Sequence, residues 1–298
     1  MKQLLVVYDN PQGLTIDYDQ HIKSMETELG KDYKVGRTAL INLEFWVKKN
    51  SLIVKTAKGL DLKKVDSVFF AKWQMYQNAF ATAAYLNKHQ VAFKPKQVAN
   101  FPPTNKLGET ASLADNDLLI PNSLITSVEN IKGKASRYLA FFEPPVVLKN
   151  IESSLGNDNF LIRSEKELLQ KLSRYRNRDI FMVQEFIPNK GDYRCLVFNG
   201  RAKVLLKRTR ANNLTHLNNT NKGAKGEIIA PIPPELKKMA EQAAKLTGRQ
   251  DFAGVDIIIH QQTKKPYVLE VNRMPVVFHG NPKRPEKTAA EAAFLRSI

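Results

Sequence analysis

Short apolar runs alternate along the chain with longer segments in which apolar residues recur every three or four positions. The first pattern is typical of buried strands and the second of amphipathic helices, so the sequence predicts a mixed α/β (α+β) fold. In the first hundred residues, the predicted strands are 4–8, 40–47, 51–55, 65–71 and 91–93, and the predicted helices are 17–29 and 77–87.

The rest of the chain continues this pattern with clear start and turn signals. Ser164, with Glu167 three residues later, has the spacing of a capping box and predicts a helix that runs to Leu172. The dipeptide Asn199-Gly200 lies between two strand-like runs and predicts a tight hairpin. Further predicted strands are 146–149, 159–162, 180–187, 192–198 and 201–207, and further predicted helices are 106–116 and 233–246.

Prolines divide this series of elements. Pro102-Pro103 end the first set, because paired prolines interrupt regular structure, and Pro188 closes the strand 180–187. We therefore expect three compact units, residues 1–104, 105–187 and 188–298.

The segment 252–272 reads as two β-branched strands joined by a polar turn, which predicts a second hairpin. If residues 261–265 form the turn, His260 faces Pro266, and counting outward places Asp256 opposite Glu270. Two facing carboxylates repel each other.

Asn272 is two residues beyond Glu270 and therefore projects from the same face of the strand. A hard cation would relieve the repulsion, and Mg²⁺ prefers oxygen ligands of this kind. Two other interpretations remain open: the carboxylates share a proton, or they form an acid/base pair for hydrolysis. A register shift of one residue would instead turn one of the acids to the opposite face.

Charge and composition indicate which classes of binding partner the chain favours. The chain has 46 Lys and Arg against 29 Asp and Glu, a formal charge of +17, which favours acidic partners such as nucleotides, nucleic acid or an acidic peptide. Residues 201–226 contain seven Lys or Arg and no acid. The apolar runs are too short to cross a bilayer, and the N-terminal run fits a first strand better than a signal peptide. Cys195 is the single cysteine, so no internal disulfide forms and a reducing cytoplasm is expected.

Between residues 106 and 275 the chain has an ordered series of motifs: a strand ending in Lys149 before a glycine loop, the run 183–187, Gly191-Asp192-Tyr193-Arg194, Leu206-Lys207-Arg208, Asn219 with Gly223, and Gly254-Val255-Asp256 followed by Glu270-Val271-Asn272. Taken in this order, the motifs resemble those of the ATP-grasp superfamily, and within it the RimK-like carboxylate–amine ligases.

This resemblance implies a three-domain ATP-grasp architecture that binds the nucleotide between the central and C-terminal domains. It implies ATP as cofactor with Mg²⁺, or Mn²⁺ in its place, held by Asp256, Glu270 and Asn272, with Asn219 close to the same centre. The implied nucleotide-binding residues are Lys106, Lys149, Ser154, Gly156, Gln184, Glu185, Phe186, Ile187 and Asp192. In the implied catalytic step, Arg208 stabilises the transferred phosphoryl group, and Lys207 or Arg210 holds an anionic substrate.

The chain departs from the family pattern at two places. Gly156 is the single glycine in the loop 153–158, and Asp158 stands where another glycine is expected, although a carboxylate there would repel phosphate. Val276 follows Pro275 where the family tends to have glycine.

The expected function is ATP-dependent ligation of a carboxylate to an amine through an acyl phosphate. The expected carboxylate substrate is an acidic peptide, a protein tail or an amino acid. The alternative is a nucleotide-binding or nucleic-acid-binding module with little or no ligase turnover, which the net charge and the glycine-poor loop would favour.

Overall fold

The computed structural model describes residues 1–9, 18–71, 73–100, 102–153, 158–209 and 225–273, together with the single residues 275, 286 and 290. The chain forms two compact units. Unit 1 comprises Met1–Ser112, Asn122–Glu152 and Ile162–Glu185, and unit 2 comprises Leu113–Pro121, Ser153–Leu161 and Phe186–Ile298. The division into three domains stays a prediction.

The described residues contain both strands and helices. The strands are β1 (Lys2–Tyr8), β2 (Tyr33–Ala39), β3 (Glu44–Lys48), β4 (Ser51–Lys55), β5 (Ser67–Phe70), β6 (Ala92–Lys94), β7 (Ser123–Ser127), β8 (Val146–Asn150), β9 (Asn159–Ile162), β10 (Ile180–Glu185), β11 (Asp192–Phe198), β12 (Arg201–Thr209), β13 (Lys225–Ile229), β14 (Phe252–Ile259) and β15 (Pro266–Asn272). The helices are α1 (Tyr18–Leu29), α2 (Tyr76–Lys88), α3 (Lys106–Leu113), α4 (Val128–Gly133), α5 (Ala135–Phe142), α6 (Glu165–Leu172) and α7 (Pro234–Leu246). The mixed α/β class predicted from the sequence is confirmed.

Unit 1 begins with a parallel sheet in the order β2-β1-β5-β6. Helix α1 connects β1 to β2, and α2 connects β5 to β6, as parallel neighbours require a crossover. The apolar core on one side of β1 is formed by Val6, Tyr8, Ile22 and Val35.

A second, antiparallel sheet places the strands of unit 1 in the order β4-β3-β7-β10-β8. Because β3 pairs with β7, this sheet takes strands from both sides of the predicted boundary at residue 104. All five residues of β7 are buried, including two serines and a threonine.

Unit 2 contains an antiparallel sheet in the order β13-β12-β11-β14-β15, and α7 packs on it through an apolar face that buries Leu236, Met239 and Ala240. The turn between β11 and β12 is Asn199-Gly200, as predicted, with φ of 47° and 69°. These two positive values are those of a type I′ turn, whose twist matches that of the flanking strands.

Several local predictions are confirmed. Ser164 caps α6 through a 3.3 Å hydrogen bond from the Glu167 N–H, and the predicted strands 146–149 and 159–162 are β8 and β9 within one residue. The predicted strand 40–47 is wrong in its first half, since residues Leu40–Asn42 form a 3₁₀ turn before β3. Elements β2, β7, β13, α4 and α5 were not predicted. None of the helices in the described residues is long and apolar enough to span a bilayer.

Candidate active site

Asp256 of β14 lies directly opposite Glu270 of β15, as the sequence predicted. The strands do not reach this register as expected, because Pro266 pairs with Ile259 and not with His260. A register shift between Asp256 and Ile257 then leaves Leu269 as an extra residue on β15 and restores the expected pairing.

The difference at the turn has a local cause. The Nδ1 atom of His260 accepts hydrogen bonds from the backbone N–H groups of Gln262 and Thr263, each at 3.1 Å. His260 is therefore part of the turn rather than the last residue of the strand, and the bulge compensates for the shortened strand.

Asn272 pairs with Gly254 and reaches the same carboxylate. Its Nδ2 atom donates to Oδ2 of Asp256 and to the carbonyl of Gly254, both at 3.3 Å. The hairpin thus brings together Asp256, Glu270 and Asn272, the three predicted metal ligands.

Two arginines of the neighbouring strands hold the Asp256 carboxylate. Arg194 of β11 donates from Nε to Oδ1 and from Nη2 to Oδ2, both at 2.7 Å. Arg208 of β12 approaches Oδ2 through Nη2 at 3.2 Å.

Arg208 makes a second, closer pair with Asp192, at 2.6 Å from Nε to Oδ1 and 2.8 Å from Nη2 to Oδ2. Its side chain is 3% exposed and that of Asp192 8%. Two carboxylates and two guanidinium groups therefore alternate across β14, β11 and β12. The network has no net charge, which is how the sheet can bury Asp192, Arg208 and Asp256 beside the half-buried Arg194.

The electrostatic environment shifts the pKa values of Asp192 and Asp256 in opposite directions. Burial alone would raise the pKa of Asp256, but the guanidinium groups of Arg194 and Arg208 outweigh it and lower the pKa to about 2. For Asp192, burial dominates over the attraction of Arg208 and raises the pKa to about 6. Burial alone would lower the pKa of Arg208, but the negative charges of Asp256 and Asp192 outweigh burial and raise that pKa.

The motif Gly191-Asp192-Tyr193-Arg194 begins with glycine for a steric reason. The φ of Gly191 is 152°, and a Cβ atom at this residue would lie 2.3 Å from the backbone carbonyl oxygen of Arg208. Only glycine lets β11 begin this close to β12 without displacing the strand that carries Arg208.

Lys207 and Arg208 are consecutive residues of one strand, so their side chains project from opposite faces of the sheet. Lys207 pairs in register with Tyr193 and Glu227, whereas Arg208 pairs with Asp192. The structure does not bring these two predicted catalytic residues together on one face.

The predicted nucleotide residues of unit 1 occupy adjacent strands. Nζ of Lys149 in β8 donates to Oε1 of Gln184 in β10 at 2.7 Å, and Nε2 of Gln184 donates to the Ser123 hydroxyl at 3.0 Å. The Glu185 carboxylate accepts a hydrogen bond from the side chain of Asn122.

Lys106 is the half-buried first residue of α3, also in unit 1. In unit 2, Phe186 is half-buried and Ile187 buried. The predicted residues Ser154, Gly156, Arg210, Asn219 and Gly223, and the departure at Val276, lie outside the described residues.

Arg194 is the residue that the sequence predictions missed, since its motif was noted but no role was assigned to it. The signal was its position two residues after Asp192, which places an acid and a base on the same face of one strand. Its partner could not be identified from the sequence, because Asp256 is 62 residues away.

The donor atoms of the hairpin fit a hard divalent cation. Carboxylate and amide oxygens are the ligands that Mg²⁺ takes, and within the part of the chain that the structure describes Oδ1 of Asp256 accepts one side-chain hydrogen bond, from Arg194. Among the described residues, no group of three His, Cys, Asp or Glu side chains is arranged for a metal. Such a cation would therefore need ligands beyond these two carboxylates.

Comparison with known proteins identifies the family. The model of the RimK-like ATP-grasp domain matches residues 103–292. The chain belongs to the RimK-like ATP-grasp family. As a member, it is an ATP-dependent carboxylate–amine ligase of the ADP-forming, carbon–nitrogen bond-forming kind.

Solved structures share the fold of this RimK-like chain. It is similar to the D-alanine–D-alanine ligase of Bacillus anthracis, with 16% identity, a TM-score of 0.51, and coverage of 98% of this chain and 93% of that one. The same enzyme complexed with ATP gives 15% identity, a TM-score of 0.50, and coverage of 98% and 92%. The ATP-grasp ligase PsnB, complexed with a minimal precursor, Mg and ADP, gives 18% identity, a TM-score of 0.48, and coverage of 97% and 96%. No protein among the curated sequences matches the chain significantly.

Proposed function

We propose that this RimK-like ligase joins the carboxylate of an acidic peptide, a protein tail or an amino acid to an amine. The observation that carries the proposal is the cluster in unit 2, where Asp256 faces Glu270 beside Asn272 and Arg208 lies 3.2 Å from Asp256. Metal-binding oxygens next to a buried guanidinium are what phosphoryl transfer requires of a protein.

The reaction proceeds in two steps whose atoms balance. An oxygen of the substrate carboxylate attacks the γ-phosphorus of ATP, and the bond to the bridging oxygen breaks to release ADP. The amine nitrogen then attacks the carbonyl carbon of the acyl phosphate, phosphate leaves, and the nitrogen loses a proton.

In this proposal, the residues predicted from the sequence supply the nucleotide contacts. Lys149 and Lys106 provide positive charge for the phosphates, and the backbone N–H groups of Ser154 and Gly156 and the Ser154 hydroxyl donate hydrogen bonds to them. Adenine is held by Gln184, Glu185, Phe186 and Ile187, because the end of a strand offers backbone hydrogen bonds beside apolar side chains.

Unit 2 supplies the groups for the reacting phosphoryl. Asp256, Glu270 and Asn272 would hold Mg²⁺, or Mn²⁺ in its place, which when bound neutralises phosphate charge. Arg208 stabilises the charge on the transferred group, since its planar guanidinium matches phosphate geometry. Asp192 keeps that guanidinium oriented, and Lys207 or Arg210 binds the anionic substrate.

The charge of the chain supports an anionic substrate. The formal charge of +17, with seven Lys or Arg and no acid in residues 201–226, favours acidic partners. The same charge supports a second candidate function, nucleic-acid binding with little ligase turnover.

The test is ADP release with Mg²⁺ and ATP across a panel of amino acids and acidic peptides, each with an amine, followed by mass spectrometry. The expected product has the mass of the two substrates less one water. The matched control is Glu270→Gln, in which the product should be reduced. Binding to RNA or DNA that weakens steeply with salt, with no ADP from any mixture, would support the second candidate instead.

A further inference from the structure

Arg194 and Asp256 form an ion pair in unit 2. Arg194 binds both oxygens of the carboxylate at 2.7 Å, and the side chains are 19% and 9% exposed. This two-point contact is the strongest geometry available to a guanidinium and a carboxylate.

The carboxylate that is proposed to bind a metal therefore already has donors on both oxygens. Oδ2 of Asp256 receives Arg194 at 2.7 Å, Arg208 at 3.2 Å and Asn272 at 3.3 Å, whereas an oxygen of this kind has two lone pairs. Oδ1 receives Arg194 alone within the described part of the chain. A divalent cation at this carboxylate would also lie close to two positive charges.

The two arginines are not equivalent. Arg208 has its own carboxylate partner in Asp192 and is 3% exposed, so its position does not depend on Asp256. Arg194 makes its hydrogen bonds within the described residues to Asp256 and is the more exposed of the two. Arg194 is thus the member of the network whose partner a metal would take.

We propose that Arg194 is the resident counter-ion of Asp256 and makes divalent-metal binding depend on bound nucleotide. Without nucleotide, Arg194 neutralises the carboxylate and repels a cation. The phosphates of ATP bring negative charge that offsets the two guanidinium groups, so the metal and the nucleotide bind together. This inference rests on the metal role proposed above for Asp256. It makes Arg194 a positioning residue, since it acts through Asp256.

The test measures Mn²⁺ affinity directly, by the electron paramagnetic resonance signal of free Mn²⁺, with and without ATP. The variants are Arg194→Met, which keeps side-chain length and removes the charge, and Arg194→Lys, which keeps the charge and loses the fork. The matched control is Arg176→Met, because Arg176 also binds an aspartate, Asp179, through Nε at 3.0 Å and Nη2 at 2.9 Å, but in unit 1.

Without nucleotide, we expect Arg194→Met to bind Mn²⁺ about tenfold more tightly than the wild type, an ordinary coupling between two sites. With ATP present, the difference should shrink to about twofold. The Arg176→Met variant should equal the wild type in both conditions.

Unchanged or weaker Mn²⁺ binding by folded Arg194→Met without nucleotide would overturn the inference and show a purely structural ion pair. If Arg194→Met does not fold, Arg194→Lys is tested in its place. We expect its Mn²⁺ affinity without nucleotide to rise by about threefold over the wild type, because lysine makes a single contact with the carboxylate. An unchanged Mn²⁺ affinity in Arg194→Lys would then overturn the inference. Failure of the proposed function is a distinct result, namely no Mn²⁺ binding by the wild type even with ATP.

Discussion

Asp256 and Glu270 face each other across β14 and β15 through a β-bulge at Leu269, which compensates for the residue that His260 contributes to the turn. Bulges often redirect side chains next to active sites. Here the bulge retains the facing pair of carboxylates, although the strands pair differently at the end near the turn.

The first prediction concerns Glu270. It is half-buried, and within the described residues it forms no ion pair, so Glu270→Gln removes a charge without leaving a buried partner. We expect ligation to fall by about tenfold to a hundredfold, as for removal of a group that supports a metal. We expect the free energy of unfolding to stay within about 0.5 kcal/mol of the wild type.

The measurement is ADP release as a function of Mg²⁺ concentration, together with urea unfolding. An unchanged rate at limiting Mg²⁺ would remove Glu270 from the metal site. A shift in the Mg²⁺ dependence without a change in stability would support it.

The second prediction concerns Arg208. Lysine cannot bind both oxygens of Asp192 and still contact Asp256, because its ammonium group is a single point charge. We therefore expect Arg208→Lys to lower the ligation rate by about a hundredfold, the usual loss when one aligned donor is removed from a developing charge. A rate within threefold of the wild type, in a variant that folds, would contradict this role.

The third prediction concerns the two glycines that flank β11. Gly191→Ala would place a Cβ atom 2.3 Å from the Arg208 carbonyl oxygen, so we expect a loss of about 2–3 kcal/mol in stability together with a loss of ligation. Gly200→Ala is the matched control, since it also has positive φ, but apart from its two chain neighbours no described residue has an atom within 4 Å of the added Cβ. It should cost about 1 kcal/mol and leave the rate unchanged.

The two variants are compared by thermal unfolding and by kcat. Equal losses of activity would indicate that the hairpin acts only through overall stability. A loss confined to Gly191→Ala would support a specific requirement for the position of Arg208.

The fourth prediction is the stability of the protein in acid. The guanidinium groups of Arg194 and Arg208 overcome the effect of burial and hold the pKa of Asp256 near about 2, below its ordinary value of 3.8. A carboxyl group whose pKa is lower in the folded state stabilises the fold at pH values above its unfolded-state pKa. That stability is lost as the pH falls through the folded-state pKa. We expect this group to contribute about 2 kcal/mol that disappears between pH 4 and 2.

The check is urea unfolding of the wild type and of Asp256→Asn at several pH values. The difference in stability between them should shrink as the pH falls below 4. The pH dependence of stability that comes from Asp192 has the opposite sign. Burial raises the pKa of Asp192 to about 6, so its contribution to the free energy of unfolding is lost as the pH rises through that value. A constant difference between the wild type and Asp256→Asn would contradict the assignment for Asp256.

Elements with a strong local signal were predictable. A few residues were enough to predict the turn at Asn199-Gly200, the cap at Ser164 and strand β14 with its apolar run. Strand β7 was missed because its serines and threonine look polar, although they are buried and Ser123 and Thr126 have hydrogen-bond partners far along the chain. For example, Thr126 donates to the carbonyl of Leu43.

The sequence by itself predicted a hairpin over residues 252–272, because strand alternation and a polar turn are local properties, whereas the bulge that restores Asp256 opposite Glu270 was visible only in the structure. It also determined the family, through motifs in a recognisable order. Only the tertiary structure decided that Arg194 and Arg208 share the Asp256 carboxylate. That arrangement depends on β11 lying between β12 and β14, and such pairing of distant strands depends on the packing of the whole sheet rather than on any short segment.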